Sequence, residues 1–402
     1  MDTADSFEHK GSPQVSIIIP TYNGRDYLVD CIHAVLSNTG GAFELIVVDD
    51  CSTDGTAQVV EDLFRDSGVL KVAHCPVRRG HGAACEIGIG NARGQLLILL
   101  DNDTEVQEGW LDQLLRVART YPDAGAIQAK LLWHKDRARI QHGGGQLNLL
   151  GSTAARSHMS YDHLSKNDAE EIFFAAGAAM LTYKDVILQC GGFDSEFTIL
   201  DDADLGWRMR LRGYRVFVAN DSRVLHHGSK TIANTDYLAA KLSRTTYEHL
   251  GMVIKNRSLS SLLKILPALV LLRISYVLLL IARRLPRLAL ASLAGLVRAL
   301  CEFRQIWEKH QLVQSRIRRQ TDEELTYCIK RLYPSLILWA AVKIARRTYL
   351  ILFDDHAQTK LCIRTFSESA LQQLWRMHPS LAQFARDSYY SQQSIALMER
   401  DA

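Results

Sequence analysis

Short, β-branched apolar runs alternate with amphipathic stretches over the first hundred residues. Val15-Ser16-Ile17-Ile18-Ile19 ends at Pro20 and reads as a strand buried on both faces. Residues 44–48 and 95–100 repeat that pattern, and residues 70–73 give a weaker version. Between them, residues 27–37, 57–64 and 82–92 carry helical patterning. Strands alternating with helices predict a parallel sheet with right-handed crossovers. Polar residues gather just past the strand ends, at 21–23, 49–54 and 101–103. Open α/β sheets bind ligands at that edge.

Residues 130–175 are mixed in pattern, with a turn expected at Gly143-Gly144-Gly145. A helix is expected over 202–212, stopped by Gly213, and a strand over 216–218 within the apolar, strand-like stretch 215–225. After Lys255 the character changes. Residues 265–282 form an apolar run interrupted chiefly by Pro267 and Arg273, and further apolar segments follow at 288–297 and 336–342. There is no internal repeat.

Composition adds one feature to this picture. The chain has 402 residues, 47% of them hydrophobic, and a net charge of +3, which is ordinary for a globular protein. The charge is unevenly placed. Residues 1–250 hold 24 Lys/Arg and 33 Asp/Glu, whereas residues 251–350 hold 18 and 5. A basic, apolar block suits an anionic surface. The eight cysteines form no C-x-x-C pair and show no zinc spacing, which fits a reduced, cytosol-facing chain. The polar stretch 1–14 lacks an apolar h-region, so no signal peptide is expected.

Four clusters could carry chemistry. Asp101-Asn102-Asp103 follows a buried strand, and two carboxylates at i and i+2 can face one hard cation. An Asp-rich turn is the plain alternative. Asp49-Asp50 ends another strand and could accept a hydrogen bond from a base or ribose, or serve as a helix cap with an Asx-turn. Asp201-Asp202-Ala203-Asp204 opens a helix; the dipole explains part of that charge, and crowding raises one carboxylate's pKa, as suits a general base. His226-His227 could ligate a metal or be structural. Separately, the turn Arg78-Arg79-Gly80-His81-Gly82 could favour phosphate through backbone N–H groups, although it is not a P-loop.

The order of these pieces resembles the family 2 glycosyltransferases. Ile18-Ile19-Pro20-Thr21-Tyr22-Asn23, Val47-Val48-Asp49-Asp50-Cys51-Ser52-Thr53-Asp54 and Leu99-Leu100-Asp101-Asn102-Asp103-Thr104 carry the likeness as a set. Gly191-Gly192-Phe193-Asp194, Asp201 to Leu205 and Arg212-Gly213-Tyr214 extend it toward bacterial rhamnosyltransferase-like enzymes of cell-surface polysaccharide synthesis. The resemblance implies a GT-A fold (that of nucleotide-diphospho-sugar transferases): α/β, with a mostly parallel central sheet followed by a helical C-terminal region. It implies inverting transfer of a sugar from a nucleotide-diphosphate sugar to an acceptor hydroxyl, with Mn²⁺ or Mg²⁺ as cofactor. By position, Pro20, Thr21 and Tyr22 would lie against the nucleobase, with Asp50 and Asp49 on its N–H. Asp101 and Asn102 would complete donor binding. Asp103 would ligate the metal with His226, His227 being the lesser candidate. Asp202 would be the catalytic base, and Gly177, Ala178 and Asp201 would shape the acceptor side. Glu86 departs from the family, standing where Asn is common and where a carboxylate could repel a donor phosphate. An Arg-Asn pair common near the end of the catalytic domain is not evident around 247–249.

The expected division is a polar tail at 1–14, a catalytic domain at 15–256, a membrane-associating helical region at 257–350 and a helical tail at 351–402. As a helix, residues 265–282 would be about 27 Å long, enough to reach across a bilayer core. Basic residues flank both ends, which favours a peripheral or monotopic helix on the cytoplasmic face over a span. The expected partners are a nucleotide-sugar, a glycan or lipid-linked acceptor and an anionic membrane, with no nucleic acid. Two rival readings remain at this point: a sugar-phosphate nucleotidyltransferase, and a non-catalytic, membrane-docked subunit of a polysaccharide assembly complex.

Overall fold

The computed structural model describes residues 14–162, 167–228 and 235–329. The expected tail at 351–402, the apolar segment at 336–342 and nearly all of the 1–14 tail lie outside the described residues. In chain order, the first half holds Val15–Thr21 (β1), Arg25–Asn38 (α1), Phe43–Asp49 (β2), Thr56–Phe64 (α2), Leu70–His74 (β3), His81–Asn91 (α3), Leu96–Leu100 (β4), Thr104–Val106 (β5), Trp110–Thr120 (α4) and Ala124–Trp133 (β6). There follow Ile140–His142 (β7), Gly145–Leu147 (β8), Thr153–Ala155 (β9), Ala169–Glu171 (β10), Ala179–Tyr183 (β11), Lys184–Gln189 (α5), Asp201–Arg212 (α6) and Arg215–His226 (β12). Thr235–Asn256 (α7), Leu259–Ala282 (α8), Pro286–Cys301 (α9) and Phe303–Leu312 (α10) complete the helical part.

The main sheet runs β10-β12-β6-β11-β4-β1-β2-β3, with β5 on β12 and β7 on β6. The expected parallel block is β4, β1, β2 and β3. β11 runs antiparallel to both β4 and β6. β12 joins β6 in parallel, beyond the pattern visible from the early strands. Alternation along the strands explains why they are apolar throughout: Ile17, Ile19, Leu45 and Ile98 enter one core, and Ile18, Ile46 and Leu97 enter the other. α3 lies close on the second face. A Cβ at Gly88 would come within 2.3 Å of an Ile18 methyl, so glycine sets that approach.

A third core joins α6 to the later helices. Trp207 and Leu211 pack with Phe173, Phe197, Leu250, Val253, Leu269, Ala299 and Ile306. The expected boundary at 256 is therefore spanned by one apolar cluster. Beyond α10, the backbone N–H groups of Arg319 and Gln320 donate to the Leu211 carbonyl at 2.6 and 2.9 Å, tying residues 313–329 to the end of α6.

Buried charges lock the same junction. Asp204 accepts from Arg208 Nε at 3.0 Å, Lys255 Nζ at 2.8 Å and Asn256 Nδ2 at 2.8 Å. Lys255 Nζ also donates to Asp194 at 2.6 Å, and Lys309 reaches the same carboxylate at 2.5 Å. Asp204 is thus committed to α6 and α7, and only Asp201 and Asp202 of its cluster face the sheet edge.

Candidate functional site

The parallel strands end in the residues that the sequence marked. Thr21 and Asp49 close β1 and β2, and Asp101 directly follows β4. The Thr21 carbonyl accepts from the Asp50 N–H at 2.8 Å, and its hydroxyl accepts from Asn102 Nδ2 at 2.8 Å. Pro20 continues the β1–β2 register beside them, opposite Val48. Tyr22 is 38% exposed, and the Arg78 guanidinium lies 3.8 Å from its ring centroid. The two form a cation–π pair at the sheet edge.

Asp50 explains that placement. Its two oxygens accept from the backbone N–H groups of Arg79, at 2.7 Å, and Gly80, at 2.8 Å. Those N–H groups, expected to be offered to phosphate, are used to hold the turn that carries Arg78. Asp49 accepts from the Ser52 N–H at 3.2 Å. Each carboxylate oxygen can accept more than once, so both residues keep acceptor capacity.

Asp101, Asp103 and His226 converge, with one ligand atom of each lying within 4.8 Å of the others. His226 Nε2 is 3.0 Å from Asp103 Oδ1 and 4.0 Å from Asp101 Oδ2. Pairing of β5 with β12 sets Thr104 opposite His226, so residues far apart in sequence meet through strand register. Gln141 Oε1 contacts His226 Nδ1, leaving Nε2 to face the carboxylates. Burial alone would lower the His226 imidazole, but the Asp103 and Asp101 charges leave it raised. Two carboxylates and an imidazole suit a divalent cation, so the residues present fit a metal.

His81 links this cluster to the start of α6. Its Nε2 is 3.3 Å from Asp101 Oδ1, and its Nδ1 is 2.9 Å from Asp201 Oδ2. Burial works against the Asp101 carboxylate, yet the His81 hydrogen bond and the His81 and His226 charges hold it lowered. Gly177 and Ala178 complete the join. The Ala178 carbonyl accepts from the Asp101 N–H at 3.1 Å, and the Gly177 N–H donates to Asp202 Oδ2 at 3.4 Å. Asp202 keeps partial access to solvent. Burial of its carboxyl, with the Asp201 charge beside it, pushes its pKa up to about 8.

Residues 16–190 match the sequence profile of Glycosyl transferase family 2. They form a family 2 glycosyltransferase domain. The chain is 28% identical over 238 residues to the O-antigen biosynthesis protein RfbC of Myxococcus xanthus, covering 55% of this chain and 18% of the relative. It is 37% identical over 114 residues to the succinoglycan biosynthesis protein ExoO of Rhizobium meliloti, covering 28% of this chain and 31% of the relative. The chain thus spans less than a third of the length of either. The crystal structure of GalNAc-T7 with UDP, GalNAc and Mn²⁺ aligns at a TM-score of 0.50 and 18% identity, over 61% of this chain and 48% of that one. The glycosyltransferase domain has the expected GT-A fold, with its helical region after it.

Several residues of this candidate site carried no decisive sequence signal. His81 was visible only as part of a glycine-rich turn; its partners lie 20 and 120 positions away. Arg78 and Gln141 likewise act on residues distant in sequence. Glu86, a departure from the family pattern, accepts from the Phe193 N–H at 2.6 Å and so braces the Gly191-Gly192-Phe193 turn. Glu248 accepts from the Thr198, Ile199 and Leu200 N–H groups, each at 2.9 Å, fixing the loop that leads into α6. Lys255 and Asn256, at the expected end of the domain, lie inside the buried charge network.

Proposed function

We propose that the protein transfers a sugar from a nucleotide-diphosphate sugar to an acceptor hydroxyl with inversion at the anomeric carbon. The observation that carries this reading is the placement of Asp202. A carboxylate with a raised pKa lies one imidazole away from a carboxylate–histidine cluster, at the ligand edge of a GT-A sheet.

Pro20, Thr21 and Tyr22 would take the nucleobase, with Arg78 over the Tyr22 ring and Asp49 and Asp50 offering acceptor oxygens to its N–H. Asn102 and Asp101 would hold the ribose and diphosphate side. Asp101, Asp103 and His226 would hold Mn²⁺ or Mg²⁺, which when bound supplies positive charge against the departing diphosphate. Asp202 takes the proton from the acceptor hydroxyl as its oxygen bonds to the anomeric carbon. The bond to the diphosphate oxygen breaks on the opposite face, so one displacement inverts the centre. Gly177 and Ala178 leave room for the acceptor beside Asp202, and Asp201 keeps His81 in place.

The names of the relatives point to surface polysaccharide assembly, so the acceptor proposed is a growing glycan, lipid-linked or at the cell surface. The helical region supports a membrane location. Among the described residues, α8 is the helix long and apolar enough to cross a membrane, and 11% of its most apolar window is buried. Arg273, expected to interrupt that face, turns inward, with Nη2 2.6 Å from His249 Nδ1 on α7. Leu263, Leu271, Ile274, Leu278, Leu290 and Leu300 are exposed along α8 and α9. Residues 251–300 contain no Asp or Glu and carry Lys264, Arg284 and Arg287. We therefore place the α8–α9 face on an anionic cytoplasmic leaflet, lying in its surface.

A panel of nucleotide-sugars, scored for binding and then for nucleoside diphosphate release with a glycan acceptor, tests the reaction. Release of pyrophosphate from a sugar phosphate and a nucleoside triphosphate would instead identify a nucleotidyltransferase.

A further inference from the structure

A second set of metal-type side chains lies beside the carboxylate cluster and takes no part in the proposed reaction. Glu105 of β5, His134 just after β6 and His227 just after β12 each offer one ligand atom, all within 4.8 Å of one another. Glu105 Oε1 is 2.9 Å from His134 Nε2 and 3.0 Å from His227 Nε2. The two imidazoles stack with centroids 3.7 Å apart and planes 19° from parallel. All three side chains keep partial exposure, from 20% to 28%, so an ion can reach them from solvent.

The backbone holds these three segments together without any ion. Glu105 sits opposite Leu225 in the β5–β12 ladder. The His134 N–H donates to the His226 carbonyl at 3.1 Å, and the His227 N–H donates to the Asp103 carbonyl at 3.0 Å. Gathering three ligands on a chain normally costs conformational entropy. Here main-chain hydrogen bonds have met most of that cost, and both Nε2 atoms already lie within 3.0 Å of one Glu105 oxygen.

The donor set differs in kind from its neighbour. Two carboxylates and one imidazole suit a harder ion, whereas two imidazoles and one carboxylate suit Zn²⁺ or a similar borderline cation. We propose that Glu105, His134 and His227 form a second metal site, of Zn²⁺ type, completed by water. It would staple the β5–β12 edge. Glu105 lies two residues after Asp103 and His227 directly follows His226, so the staple steadies the segment bearing the other cluster. A plain hydrogen-bonded trio, with both rings donating to one carboxylate, is the competing account.

Zn²⁺ titration of the metal-stripped full chain by calorimetry separates them, with Co²⁺ absorption as a second probe. Asp103→Ala, which cripples the neighbouring cluster, should still bind one equivalent. Its Co²⁺ spectrum should lack a sulfur-to-metal band, because Cys301 is exposed and must be excluded as the ligand. Zn²⁺ at about 100 times its Kd should raise the unfolding free energy of Asp103→Ala by about 2.7 kcal/mol. Adding His134→Gln, which keeps a hydrogen-bonding side chain, should abolish both binding and the shift. The proposal is overturned if Asp103→Ala binds no Zn²⁺, or if its binding survives His134→Gln. Equal stoichiometry in wild type and Asp103→Ala would count against the Asp101–Asp103–His226 cluster alone, leaving this site standing.

Discussion

Asp202 carries the sharpest expectations at the scale of single residues. Asp202→Asn keeps the side chain's shape and one acceptor oxygen for the Gly177 or Ala203 N–H but removes its basicity. A general base contributes about 10²–10⁴-fold, so transfer should fall by that order while donor affinity, measured by calorimetry, stays near wild type. A purely structural role, accepting from the Gly177 and Ala203 N–H groups, predicts tolerance of Asn, and transfer within about threefold of wild type would establish that role instead. The pH profile of wild-type transfer should rise toward about 8, because the carboxylate must lose its proton to act. Stability should move the other way. The folded carboxyl holds its proton up to about 8, whereas an unfolded aspartate releases it near 3.9. Between those values the native state binds more protons, so stability falls as pH rises through that window. Asp202→Asn escapes this loss, and its melting temperature should exceed that of wild type increasingly from pH 4 to pH 8. The metal reading has its own test. Asp103→Ala should be nearly inactive, and full wild-type activity in excess EDTA would refute the role of a cation.

At the scale of elements, the strands buried on both faces were legible because burial on two sides forces an unbroken apolar run. β1, β2 and β4 therefore announced themselves, and so did the motif residues at their ends. β12 fills the strand-like stretch expected at 215–225 and reaches His226; what the pattern did not show is the register shift between Ala219 and Arg223, where Asn220-Asp221-Ser222 interrupts the apolar run. β5, β7, β8 and β10 are three residues each and exist through pairing across the chain, which no local window records. The same limit hid the charge network under α6. Asp204 looked like one more acid at a helix start, yet Lys255 and Asn256 reach it from 51 and 52 residues away. Removing one partner from a buried ionic network leaves charge uncompensated, typically at about 3–5 kcal/mol. Lys255→Met should therefore lower the urea midpoint by an amount equivalent to several kcal/mol, with donor binding retained under folding conditions. An unchanged midpoint would mean that Arg208, Asn256 and Lys309 suffice.

The described residues present the candidate catalytic edge on one domain and, among themselves, an exposed apolar face on α8 and α9, joined by the third core. That core makes cutting the chain near 256 a poor test of membrane binding, because Trp207 and Phe197 would lose their packing. Substitution on the outer face is cleaner. Leu271 and Leu278 are 66% and 60% exposed, so Leu271→Glu with Leu278→Glu removes apolar surface without opening a cavity. A leucine side chain taken fully out of water is worth about 1.5–3 kcal/mol. Two of them at the lower value give about 3 kcal/mol, or on the order of 100-fold in affinity. The double variant should therefore lose co-sedimentation with anionic vesicles by about that factor while keeping its thermal transition. Wild-type binding should weaken in high salt, since Lys264, Arg284 and Arg287 act on lipid headgroups through a screened field. Equal sedimentation of the two proteins would show that this face is not the one that meets lipid. A double variant that instead melts lower would show that the face is covered by another part of the same chain, with residues 330–402 the segment to examine.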